Sequence, residues 1–143
     1  MEKGIYCLIL RNPACTVRVG ALGEISFEEG WHCYVGSALG PGGLSRAWRH
    51  VRLWEEGGCR PRWHIDYLLL SGRFRPVCLY TAETTARYEC PLAREIGGDS
   101  VAGFGSSDCK CRSHLFCRPQ DPEAEVRKAF LSLDLLATGT RLK

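Results

Sequence analysis

No apolar run in this 143-residue chain approaches the roughly 20 residues that a membrane-spanning helix needs. The apolar part of the opening MEKGIYCLIL is too short for a secretory signal and lacks a small-residue cleavage site, so no signal peptide is expected. Charge of one sign is not in large excess: the net charge of +3 permits a nucleic-acid partner but excludes histone-like electrostatics. Internal repeats and low-complexity tracts are missing. With 45% hydrophobic and 24% charged residues, the composition is that of one folded domain with a sizeable core. What is plentiful is cysteine. Nine are scattered at positions 7, 15, 33, 59, 78, 90, 109, 111 and 117. Their odd number and the expected reducing, cytoplasmic location argue against a disulfide scaffold. Most are expected to be small buried hydrophobes.

The most informative stretch is residues 31–52, WHCYVGSALGPGGLSRAWRHVR. Trp31 to Val35 has the aromatic and β-branched composition of a strand, which Gly36 and Ser37 are expected to close. Gly40, Pro41, Gly42 and Gly43 form a loop. Over about residues 43–54 the period becomes helical, with Leu44, Ala47, Trp48 and Val51 on one apolar face. Arg46, Arg49 and His50 are expected on the other, with Arg46 and His50 one turn apart. A face with two guanidiniums and an imidazole suits a phosphodiester.

The rest of the chain reads as short elements. Gly4 to Arg11 is a buried strand, Asn12-Pro13 a turn, Cys15 to Val19 a returning strand and Leu22 to Phe27 a further one. The connections are too short for parallel crossovers, so the first 36 residues are expected to form an antiparallel meander. Trp63 to Leu70 (WHIDYLLL) reads as a short helix, although its composition also fits a strand. Phe74 to Thr81 is a strand with Pro76 near its start or on an edge. Residues 87–97 form a helix with Pro91 in its first turn, which places Glu89 near the N-terminus and turns Leu92 and Ile96 to the core. Ser113 to Cys117 is a last extended piece. Asp121-Pro122-Glu123 starts a helix to about residue 136 that buries Val126, Phe130 and Leu133.

Gly4-Ile5-Tyr6 opens the first strand and Tyr34-Val35-Gly36 closes a later one. Arg46 follows Tyr34 by twelve residues and His50 follows Arg46 by four, with Glu89 on a downstream helix. In these features the chain resembles the GIY-YIG nuclease superfamily. The closer match is to an uncharacterised prokaryotic branch, some of whose members are fused to a base-excision glycosylase. The stretches YVGSALGPGGLSRAWRH, WHIDYLL, ECPLA and FGSSDCKCRSHLF carry that closer likeness over about residues 4–117. The resemblance implies a single α/β domain, an α+β sandwich whose small antiparallel sheet of three or more strands is flanked by helices, with a C-terminal helix added. It also implies a metal-dependent endonuclease acting on DNA, with roles in repair or processing and no membrane partner.

Phosphodiester hydrolysis needs an activated water, positive charge at the developing phosphorane and help for the leaving oxygen. In the family's pattern Glu89 binds one divalent Mg²⁺ or Mn²⁺, and Tyr6 is the general base. Arg46 offers a fork of donors to phosphate oxygens. His50 is placed to receive or relay the Tyr6 proton, and Tyr34 positions water or phosphate. Ser37, Arg49 and Arg52 are candidates for holding flanking phosphates. The sequence departs from the family after the glutamate helix, where many active members carry a bracing asparagine. GFGSSDC has none, leaving Ser107 or Asp108 as substitutes.

Other readings stand beside this one. The same fold and arginine face would serve a nucleic-acid-binding module that does not cut. Glu89 could merely favour the helix dipole, and Glu95 is a rival carboxylate on the same helix. His64 and Asp66 are either partners to metal-bound waters or buried structural groups. Cys109, Cys111, His114 and Cys117 form C-x-C-x2-H-x2-C, soft ligands of the types zinc takes, as in a zinc-stabilised interaction domain. The tight C-x-C step and the lack of two separated knuckles favour buried thiols instead.

Overall fold

A computed structural model describes residues 1–142. Its centre is β1 (Gly4–Asn12). Tyr6, Leu8 and Leu10 of this strand face one side, Ile5, Cys7 and Ile9 the other, and both sets are buried. A strand covered on both faces reads as an unbroken apolar run, which is what the sequence shows. β1 pairs antiparallel with β4 (Gly30–Ala38) and with β5 (Arg75–Glu83). β6 (Leu115–Arg118) adds to β4 and β7 (Thr138–Arg141) adds to β5. The order is β6-β4-β1-β5-β7.

One face is covered by α1 (Ser45–Glu56), α2 (His64–Leu70) and a separate hairpin of β2 (Cys15–Arg18) and β3 (Glu24–Phe27). The other is covered by α3 (Glu89–Ile96) and α4 (Glu123–Ser132). The architecture is therefore the expected α+β sandwich. No helix among the described residues is long and apolar enough to cross a membrane.

Several expectations need correction. The first strands do not form one meander, because β2 and β3 pair only with each other and β1 reaches past them to β4. Gly36 and Ser37 do not close β4, which runs on to Ala38. Gly36 lies opposite Tyr6, and a Cβ there would overlap the tyrosine ring. The glycine makes room for a side chain and does not break the strand. Gly139 serves Tyr80 in the same way across β5 and β7. Pro76 pairs opposite Leu10 beside a register shift in β1, where a missing donor is tolerated. The last helix stops at Ser132, so Leu133 is only half-buried, and the chain turns back into β7.

Candidate active site

β6 pairs with β4 only from Trp31 to Tyr34, and the His114 carbonyl accepts one further hydrogen bond from Val35 N–H. Beyond that point the edge of β4 is open. A cleft of about 360 Å³ forms there, with Tyr34, Ser37, Arg46, Trp63, Glu89 and Asp108 among its walls. It joins both layers of the sandwich. α1 contributes Arg46, α2 contributes His64 together with Trp63 just before it, and α3 contributes Glu89 from its first residue.

Glu89 is 29% exposed and points to the cleft, with Oε1 3.8 Å from His114 Nδ1. Burial raises its pKa, Asp108 adds to the rise, and the Ser37 backbone and Arg46 oppose it. Two carboxylates therefore crowd one polar cleft, and neither makes an ion pair with Lys or Arg among the described residues. Ser107 and Asp108 both line it, occupying the region where the sequence lacks an asparagine. Glu95 lies on the exposed side of α3 and takes no part in the cleft.

Behind Tyr34 is a buried chain of polar groups. The Tyr6 hydroxyl lies 2.7 Å from His50 Nε2, and His50 Nδ1 lies 3.9 Å from Asp66 Oδ1. Asp66 Oδ2 accepts the N–H groups of Arg62 (2.8 Å) and Trp63 (3.2 Å), so the carboxylate also holds the start of α2. Burial lowers His50 to about 4, keeping it neutral, although Asp66 pulls the other way. Burial pushes Tyr6 well above its ordinary value, and Tyr34 adds to this; burial and Glu89 likewise raise Tyr34. His50 was expected on the outer face of its helix but is 1% exposed and faces the sheet. The i+4 spacing from Arg46 conceals this, because Arg46 sits at the helix margin and His50 beneath it. Asp66 acquires a definite place under His50. His64 Nδ1 accepts the Gly105 N–H at 2.8 Å, fixing the cleft's loop wall.

A second groove of about 500 Å³ runs from the cleft along α1 and carries Arg46, Arg49, Arg52 and Arg62. Arg46 and Arg49 both stack on Trp63, their guanidinium carbons 4.4 and 4.8 Å from the ring centroid. Arg49 is also 3.8 Å from Asp66 Oδ1. Sequence reasoning found three of these arginines but missed Arg62 and the Trp63 platform. A tryptophan opening an apolar segment gives no sign that two cations from another helix will lie on it.

On the far side of Glu89, its neighbour Cys90 meets Cys109, Cys111 and His114. Their ligand atoms all lie within 4.8 Å of one another, a group that could hold a metal ion. Cys117, the fourth member expected from spacing, instead sits in β6 opposite His32. Cys7, Cys33 and Cys78 do behave as buried core thiols, whereas Cys90, Cys109 and Cys111 are half-exposed and gathered.

No curated protein and no solved structure matches the chain. A family model does match, over residues 5–135, and the chain therefore belongs to the family described as Domain of unknown function DUF123.

Proposed function

We propose that the cleft is the active site of a divalent-metal-dependent endonuclease of the GIY-YIG kind, acting on DNA. The observation that carries this reading is the convergence of Tyr34, Arg46 and Glu89 in one polar cleft that continues into an arginine-lined groove. The groove suits a phosphate backbone, and the cleft suits the phosphodiester that reacts.

Glu89, with Asp108 beside it, fits a hard cation that keeps most of its waters. Bound Mg²⁺ or Mn²⁺ would supply positive charge for the oxygens that gain negative charge during hydrolysis. Arg46, held in direction by Trp63, places its donors toward the same oxygens. Tyr34 stays protonated and donates a hydrogen bond to phosphate or water. Tyr6 is too buried to become a free phenolate, so its basicity depends on His50. As Tyr6 oxygen takes a proton from water, its own proton passes to His50 Nε2. Asp66 then stabilises the imidazolium. Ser37, Arg49 and Arg52 hold flanking phosphates.

The test is nicking of supercoiled plasmid with Mg²⁺ or Mn²⁺ by the wild type, Glu89→Ala and Arg46→Ala. Nicking by the wild type, with a loss of about 10²-fold or more in each variant, is the expected result. Equal silence of all three, with DNA binding retained, would instead favour a non-catalytic binding module built on the arginine groove.

A further inference from the structure

We propose that Cys90, Cys109, Cys111 and His114 are the four ligands of a structural zinc ion that fastens the start of α3 to residues 103–114. The assignment does not rest on the nuclease reading, since none of the four ligands belongs to the nuclease set and the site is read out by metal content.

The donor set is three thiols and an imidazole, the soft ligands zinc takes. Four protein ligands leave no open position, which distinguishes a structural site from one that activates water. A tetrahedron with Zn–S of about 2.3 Å and Zn–N of about 2.0–2.1 Å has edges of roughly 3.5–3.8 Å. His114 Nε2 lies 3.6 Å from Cys109 Sγ and 3.9 Å from Cys90 Sγ, and all four ligand atoms fall within 4.8 Å. The ligands are thus already near tetrahedral edge lengths. The short C-x-C step is accommodated because the loop is tightly closed. Gly103 N–H donates to Arg112 O at 2.7 Å and His114 N–H to Phe104 O at 2.8 Å.

The surroundings agree with a bound cation. The His114 ring is fully buried, with Nε2 among the thiols and Nδ1 3.8 Å from Glu89 Oε1 and without a hydrogen-bond partner. A carboxylate behind the far nitrogen of a metal-bound histidine is the usual supporting arrangement. α3 has no side-chain cap at its start. Its other end is fastened by Arg118, whose NH2 donates to the carbonyls of Ile96 (2.8 Å) and Gly97 (2.6 Å). An ion held by Cys90 would secure the uncapped end. On binding, three S–H protons leave as three S–Zn bonds form, with no change of oxidation state, and the centre carries one net negative charge. Arg94, Lys110 and Arg112 line the adjoining recess of about 430 Å³, into which Cys90 and Cys111 open. This recess supplies both compensating charge and an entry path.

The test measures metal in the full chain after expression with zinc supplied, by inductively coupled plasma mass spectrometry. One zinc per chain is expected in the wild type and in Cys117→Ser, with loss in Cys90→Ser. To keep the test independent of the folding of Cys90→Ser, the wild type is also stripped with a chelator and titrated with Co²⁺. Stoichiometric uptake with thiolate-to-cobalt charge-transfer absorption, protection of three thiols from a disulfide reagent, and a melting temperature restored by roughly 10 °C or more support the site. A wild type that carries no zinc and takes up no Co²⁺ would overturn it. So would iron in place of zinc, or zinc retained by Cys90→Ser and lost by Cys117→Ser.

Discussion

The hydroxyl of Tyr6 and the imidazole of His50 meet at 2.7 Å, 44 residues apart in sequence and both out of solvent. A pairing that served only stability would cost little activity when broken. Tyr6→Phe leaves His50 Nε2 without its partner, so unfolding should become easier by about 1–3 kcal/mol. Plasmid nicking should fall by about 10²-fold or more. Urea denaturation and nicking on the same preparation separate the two effects. Wild-type nicking by a folded Tyr6→Phe would make the pair structural.

Asp66 acts on His50 from behind while holding the first turn of α2. Asp66→Asn keeps an acceptor for those amides but removes the charge that raises the His50 pKa. The chain should fold with a loss on the order of 1–2 kcal/mol. The acid-side midpoint of the nicking profile should move to lower pH. An unmoved midpoint would disconnect Asp66 from the proton path.

Gly36 and Gly23 should respond to alanine for different reasons. At Gly36 the new methyl overlaps the Tyr6 ring, giving a cost of about 1–3 kcal/mol and displacing Tyr6 from His50. At Gly23 nothing lies within 4 Å, but φ is +76°, so the cost is conformational, about 1 kcal/mol, with nicking intact. Thermal melts and nicking on both variants check this contrast.

Burial holds both His32 and His50 down at about 4, below the ordinary histidine value near 6.5. Between those values the unfolded chain binds more protons than the folded one. The stabilisation is therefore full above about pH 6.5 and is lost as pH falls toward 4. Each histidine should remove on the order of 2 kcal/mol between pH 7 and pH 5. His32 packs edge-on against Phe27 and Phe74, so His32→Phe should flatten about half of this dependence in urea titrations.

Arg49 and Arg52 lie in the groove. Alanine at either should lower the slope of log affinity against log salt for duplex DNA by about 0.9. Fluorescence anisotropy over a salt series measures it. An unchanged slope in both variants would remove the groove from the DNA path.

The sheet and helices were legible because β1, α1 and α3 have periods or breakers that local physics interprets unaided. What escaped were long-range choices. The TGTR of β7 has neither apolar alternation nor bulk, and becomes a strand only because β5 offers an edge. In the site, Arg46 stands out on its helix face, Tyr34 and Glu89 come from the family resemblance, and all three reach one cleft. Cys90 carries no sequence sign of joining Cys109 and Cys111, because it lies far upstream on α3 and only the fold brings it to them. Trp63 and the burial of His50 were likewise decided by packing between α1 and α2.

The central place of β1 also bears on synthesis. This strand precedes both of its partners, and one flank stays unpaired until β5, residues 75–83, has been made. During that interval the nascent chain displays an apolar strand with free backbone donors and acceptors, a template for pairing with another copy. Fragments ending after α2 should consequently be sticky and short-lived, and full-length yield should depend on how quickly residues 75–83 arrive to cover that flank.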